Sequence, residues 1–173
     1  MFDGVDDCVS APGSILPIGT ADYCVEFWVK RSSIVNNVTQ ALITGTDNNA
    51  FFLGFGRTYN GADGLRVARS NIADGENCAF SFVVNVWYQV IVIRSSATIY
   101  FYINGQQQTT QGSGTSNYSY SSSALSRIGA GGNVPLILEP LNGNIANVKI
   151  YNRALSAAEV QQNFNALRGR YGI

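Results

Sequence analysis

Tyr23-Cys24-Val25-Glu26-Phe27-Trp28-Val29-Lys30 is the stretch on which the fold turns. Its residues alternate. Tyr23, Val25, Phe27 and Val29 share one side of an extended chain, and Cys24, Glu26, Trp28 and Lys30 share the other. A period of two excludes a helix and predicts a strand with one fully buried face and one mixed face. The same pattern recurs outward from here. Residues 50–55 and 78–84 are rich in Phe and Val, and both read as strands. Residues 87–94 are apolar on both faces in the middle, so they predict an inner strand, and 97–103 follow it as a hairpin after the Ser95-Ser96 break. Asn104-Gly105 is the favoured pair for a two-residue hairpin turn, because both central residues need positive φ. Residues 106–111 would return from that turn, and 143–151 form the last long strand. Turn signals recur at Pro12-Gly13, 47–49, 60–64, Asp74-Gly75 and 129–133. Many short strands so punctuated predict an all-β sandwich or barrel.

One helix is expected, over about 157–168. Ser156 and Glu159 fit a capping box, Leu155 and Val160 occupy the flanking staple positions, and Gly169 is a candidate C-terminal stop. Val160, Phe164 and Leu167 form an apolar stripe at helical spacing, which reads as packing against the sandwich.

The chain has 173 residues, the size of one domain, so residues 1–173 are read as a single unit. Hydrophobic residues are 46%, enough for a core, while charged residues are 13%, about half of ordinary usage. Ser, Thr, Asn and Gln fill the surface, which suits a crowded assembly or a sugar-facing site. Eleven basic and eleven acidic residues balance, so there is no electrostatic footprint for nucleic acid. The longest near-apolar stretch, 86–93, contains Gln89 and is too short to span a membrane. The start Met1-Phe2-Asp3-Gly4 runs straight into a strand pattern, with no signal peptide expected. Cys8, Cys24 and Cys78 are an odd count without close pairs. They read as small buried hydrophobes, and the spacing leaves a Cys8–Cys24 bridge open. The sequons at Asn37 and Asn117 read as chance matches.

The order of these elements resembles the laminin-G-like, concanavalin-A-like jelly rolls. The resemblance rests on Phe2-Asp3-Gly4-Val5-Asp6-Asp7-Cys8-Val9, Val25-Glu26-Phe27-Trp28-Val29, Trp87-Tyr88 with Tyr102-Ile103-Asn104-Gly105, and above all the closing run from Asn142 through Tyr151 to Ser156 and Glu159. It implies two antiparallel sheets packed face to face as a jelly-roll sandwich, with the last strand beside the first and one short C-terminal amphipathic helix. Ile145, Val148 and Ile150 would seal core positions, Arg153 would anchor the turn, and the helix would cover one edge or end. Some relatives bind calcium on the sandwich rim. Here Asp6, Asp7, Asn142 and Asn144 are the candidate ligands, but Ala146 and Asn147 stand where many members carry an Asp-Glu pair, and Cys8 stands where Tyr is usual. Calcium prefers six to eight oxygens, several from carboxylates, so the set is thin and no cofactor is required.

An enzyme is not expected. The sequence has no histidine, which removes the commonest acid–base group. Glu26, Glu76, Glu139 and Glu159 are scattered, whereas a retaining glycosidase needs two carboxyls about 5–5.5 Å apart. Two functions remain. The first is a structural or attachment protein of a virus particle, assembled in the host cytoplasm. It would act as a homo-oligomer or against capsid or fibre proteins as a capsid decoration, head knob or fibre component. The free cysteines fit that setting, and the tail from Phe164 to Ile173 resembles the endings of laminin-G-like proteins of marine and cyanobacterial tailed phages. The second is a carbohydrate-binding module for host or polysaccharide attachment. Its candidate ligand residues are Tyr59, Asn60 and Asp63 in the polar turn 57–64, and Tyr118 and Tyr120 in the tract 112–123. That tract reads either as a plain flexible loop or as a contact loop in which Tyr supplies rigid area and Ser and Gly supply hydrogen bonds.

Overall fold

The period-two stretches become strands of two stacked antiparallel sheets. The computed structural model describes residues 1–34, 38–56, 63–69, 75–112, 121–132 and 138–173. The strands are β1 (Phe2–Asp3), β2 (Val9–Pro12), β3 (Tyr23–Arg31), β4 (Gln40–Gly45), β5 (Phe51–Phe55), β6 (Gly64–Arg69) and β7 (Glu76–Ala79). They continue with β8 (Trp87–Ser95), β9 (Thr98–Ile103), β10 (Gln106–Gln108), β11 (Gln111–Gly112), β12 (Leu125–Ile128) and β13 (Asn142–Tyr151), before helix α1 (Ala157–Leu167). A six-stranded sheet runs β1-β13-β3-β8-β9-β10, and a seven-stranded sheet runs β11-β7-β6-β5-β4-β12-β2. The last strand does return beside the first, with Phe2 opposite Gly143. This is the expected jelly-roll sandwich.

The main core lies between the sheets. Tyr23, Val25, Phe27 and Val29 of β3 meet Phe51, Leu53 and Phe55 of β5 and Leu65 and Val67 of β6 there. The mixed face of β3 is buried as well. Cys24, Glu26 and Trp28 are all 0% exposed. The reason is α1, which lies on the outer face of the six-stranded sheet and joins Leu155 and Val160 to Cys24, Ile91, Ile93 and Tyr102 in a second core. The helix therefore covers a sheet face, not an edge or end. Trp28 stacks on Phe164 at 6.0 Å and on Tyr171 at 4.2 Å. Glu26 accepts hydrogen bonds from Asn163 Nδ2 (2.9 Å), Gln89 Nε2 (3.1 Å) and Lys149 Nζ (3.3 Å). A buried carboxylate survives only with partners of this kind.

Local chemistry sets the ends of α1. Ser156 Oγ accepts from Glu159 N, and Glu159 Oε2 accepts from Ser156 N at 2.8 Å, which completes the capping box. Arg153 does hold the turn, with Nη2 donating to Glu159 Oε1 at 2.7 Å. Gly169 is not the stop. Helical backbone continues through Arg168 into a 3-10 turn, Arg168–Tyr171, which ends at Gly172 with φ +74°. Other expectations shift too. Of 78–84 only Cys78 and Ala79 are strand, because the chain then leaves the sheet and packs Phe80 and Phe82 against Tyr88. The stretch 106–111 is split between β10 on one sheet and β11 on the other. The opening run 2–9 is split in the same way between β1 and β2. Asn104-Gly105 turns with positive φ at both residues, as expected, and so do Ser96 and Ala97, a pair that carries no such signal. Cys24 and Cys78 are buried and Cys8 is half-exposed, and all three are free thiols, so the Cys8–Cys24 bridge is not formed.

Candidate functional site

One end of the sandwich gathers polar groups. Arg31, the last residue of β3, inserts between the sheets. Its Nε donates to Gln40 Oε1 of β4 at 2.9 Å, its Nη1 meets Asp63 Oδ2 at 2.7 Å, and its guanidinium lies 4.5 Å from the Phe55 ring centre. Burial lowers the Arg31 pKa, and Asp63 opposes that shift. Asp63, a candidate ligand residue, thus already bridges the two sheets. Tyr59, Asn60, Tyr118 and Tyr120 lie outside the described residues. The segments that flank them are informative. Gly56 N donates to Gly64 O at the Arg31 end. Gly112 pairs with Glu76, and Ser121 N donates to Asn49 O, both towards the opposite end of the seven-stranded sheet. The described residues that flank 57–62 and 113–120 therefore lie at different ends of the sandwich.

The acidic corner sits beside the Arg31 end. Ser32 N donates to Asn142 O, and Asp3 pairs with Asn142. The turn after β1 folds back through Gly4 (φ +83°), where a Cβ would lie 2.9 Å from Asn142 Cβ. A side chain there would need both the disfavoured backbone region and that space. The turn brings one carboxylate oxygen each of Asp3, Asp6 and Asp7 within 4.8 Å of one another, all three exposed. Asp3 Oδ1 accepts Val5 N at 2.8 Å, and Asp7 Oδ2 accepts Asp3 N at 3.0 Å. The structure places Asp6 and Asp7 in one turn beside Asn142, the strand partner of Asp3, and Asp3 joins the two carboxylates unforeseen. Its signal was the spacing Asp3-x-x-Asp6-Asp7 across a glycine turn. Asn144 stands two positions further along β13, opposite Lys30. The donor set is oxygen-only and anionic, which fits a hard divalent cation, although two of its carboxylates also serve backbone amides.

The other end differs. An apolar groove of about 840 Å³ opens between β13 and the segment after β2, lined by Ile15, Leu16, Ile18, Ile128, Val148 and Ile150 among others. Ile15 and Ile18 are 36% and 49% exposed. Val148 and Ile150 pack against the core but remain only half-buried. No acid–base pair lines this groove; its only carboxylate is Asp22, whose Oδ1 accepts Ser96 N at 2.9 Å.

The glutamates have separate duties. Glu26 lies under the helix, and Glu159 serves the cap, where Arg153 and Ser156 lower its pKa to about 2. Glu139 is half-buried with a raised pKa from burial, which Arg66 and Thr39 oppose. Among the described residues the Asp3–Asp6–Asp7 group is the one acidic cluster of metal-binding proximity, and it sits on an exposed corner.

Solved structures share this architecture at low identity. A heptameric SAP-like pentraxin from Limulus polyphemus superposes with a TM-score of 0.66 at 15% identity, over 92% of this chain and 78% of that one. Domain 4 of AbnA, an extracellular arabinanase of Geobacillus stearothermophilus in complex with arabinotriose, gives 0.62 at 16% identity over 94% and 86%. The binding domain of botulinum neurotoxin DC in complex with SialylT gives 0.61 at 17% identity, over 86% of this chain and 36% of that one. Such identities establish the fold alone. No curated protein matches the sequence. The family model for the concanavalin A-like lectin/glucanases superfamily matches residues 3–161. With that match spanning both sheets and the start of the helix, this chain belongs to the concanavalin A-like lectin/glucanases superfamily.

Proposed function

We propose that this chain is a non-catalytic glycan-binding module that uses the Arg31 end of the sandwich. The observation that carries this reading is the acidic corner. Asp3, Asp6 and Asp7 lie within 4.8 Å of one another, at the same end as the anchors of the 57–62 segment with Tyr59 and Asn60. A calcium ion held by Asp3, Asp6, Asp7 and Asn142 would give sugar hydroxyls a charged ligand, and Tyr59 would supply a ring to stack on a sugar face. Asn144 would act on the ion from further along β13, and Asp63 would shape the loop base through Arg31. Tyr118 and Tyr120, in the segment flanked by Gly112 and Ser121, would form a separate contact. Relatives in this fold that hold arabinotriose or SialylT support the ligand class.

The particle-component role is the second reading: a virion protein that meets capsid or fibre proteins and displays the glycan site outward. Low surface charge and the resemblance of the 164–173 tail favour it. A glycan panel read with calcium and again with chelator tests the first reading. Binding lost on chelation and in Asp6→Asn supports it. Binding indifferent to calcium overturns the corner as the site, and silence in both conditions overturns glycan binding altogether.

A further inference from the structure

We infer, resting on the glycan-binding reading, that the ligand of the Arg31 end is an acidic oligosaccharide: one sugar ring lies against Trp87 and Tyr171, and its anionic group meets Lys30. Strand register builds this platform. Lys30 of β3 stands opposite Trp87 of β8 on one side and opposite Asn144 of β13 on the other. Arg31 points between the sheets, so Lys30 and its two cross-strand partners face outward, as alternation along a strand requires. Lys30 Nζ lies 5.3 Å from the Trp87 ring centre, a cation held at an indole. The Trp87 ring meets Tyr171 at 4.9 Å, and Tyr171 in turn stacks on Trp28 at 4.2 Å. Trp28 is sealed, yet Trp87 and Tyr171 are only half-buried. The stack therefore has a dry base and a wet top. Core packing explains the base. The top leaves aromatic surface in water beside a cation, a pairing suited to the apolar face of a charged sugar.

Charge sets the direction in which such a ligand lies. Asp3, Asp6 and Asp7 are exposed carboxylates on the β1 side of this end, and they repel an anionic sugar unless a cation covers them. On the Trp87 side the charges differ. The turn that carries Tyr171 holds Arg168 and Arg170, both exposed cations. Lys30 pairs with no carboxylate among the described residues, and its ammonium stays at the indole. Glu26, the acid on the outer face of β3, is sealed and already met by Lys149, Gln89 and Asn163. An anionic group therefore finds its partner at Lys30, through a charge-assisted hydrogen bond. Strands β13 and β3 stand between β1 and β8, so the acidic corner and Trp87 are about 15 Å apart at ordinary strand spacing. A single sugar cannot touch both. An oligosaccharide can, with neutral hydroxyls towards the corner and its acidic unit on the platform.

Calorimetric titration in calcium tests this with oligogalacturonate, its carboxyl-reduced neutral form and a sulfated galactan oligosaccharide of similar length. The acidic ligands are expected to bind about tenfold or more tighter than the neutral one, and the advantage to shrink as salt rises. An advantage for only one of the two acidic ligands also supports the inference, and it names the anion. Lys30→Gln should remove the advantage and Lys30→Arg should keep it. Trp87→Ala, with its fold checked by circular dichroism, should weaken the acidic ligands by about tenfold, as loss of an aromatic anchor does. Equal affinity of wild type for acidic and neutral ligands overturns the inference and leaves glycan binding standing. So does an advantage that survives Lys30→Gln, or a folded Trp87→Ala that binds as wild type does. Silence towards every glycan strikes the glycan-binding reading itself, and the ligand class falls with it.

Discussion

β3 and β13 are neighbours in one sheet, and both alternate apolar with polar residues, yet one is sealed and the other is half-exposed. Every residue of β3 but Lys30 is buried, including Glu26. In β13 only Gly143 is buried. The difference does not come from hydrophobicity, since Ile145, Val148 and Ile150 are as apolar as Val25, Phe27 and Val29. It comes from neighbours. β3 has a strand on each side, a second sheet below and α1 above. Among the described residues β13 has a strand on its outer side only at Asn142 and Gly143, and the groove opens beneath its far half. The sealed strand therefore carries stability, while β13 keeps its apolar side chains half-exposed along the groove.

The comparison can be broken most forcefully at Trp28. Trp28→Ala removes the ring that Phe164 and Tyr171 stack on, and is expected to cost about 4 kcal/mol. Urea unfolding measures it, and a cost below about 1 kcal/mol would mean that α1 is a loose cover. Arg31→Met comes next. It strips the partner from Asp63, which is partly solvated, and about 2 kcal/mol is expected from the same measurement. Ser156→Ala should cost about 1 kcal/mol through the lost cap, and should lower helical signal without altering the β core. The smallest effect sharpens the contrast by pH. The Glu159 pKa is lowered from 4.5 to about 2, first by Arg153 and then by Ser156. Its contribution is therefore complete above about 4.5 and fades as the pH falls towards 2. The helix cap should loosen over that window in wild type, and Arg153→Gln should move the window upward. β13 should show no matching change, which amide exchange across the same pH range would check.

Much of the sandwich was legible because strand periodicity survives in single segments. β3, β8, β9 and β13 were each found within one or two residues, β3 by its alternation, β8 by its apolar run, β9 by the hairpin turns that bound it and β13 by the closing motif. β4, β6 and β12 were not, since β12 spans four residues and β4 and β6, at six each, carry no sustained apolar-polar alternation or strand-former run that marks them out. Residues 80–84 looked like strand because Phe and Val are strand formers, but their rings are needed at the end of the core, and tertiary packing overrode propensity. The candidate metal corner was half legible. Asp6, Asp7 and Asn142 came from the resemblance, while Asp3 needed the Gly4 turn to fold it back.

The residues by themselves determined the period-two pattern, the Asn104-Gly105 turn and the capping box, because each depends on contacts within a few positions of chain. Only the tertiary structure decided that α1 covers the polar face of β3, that Arg31 ties Gln40 and Asp63 across two sheets, and that β13 stays half-exposed beside the groove. Those outcomes depend on which segments become neighbours. A strand's own sequence states which way its side chains point, but not what will stand in front of them.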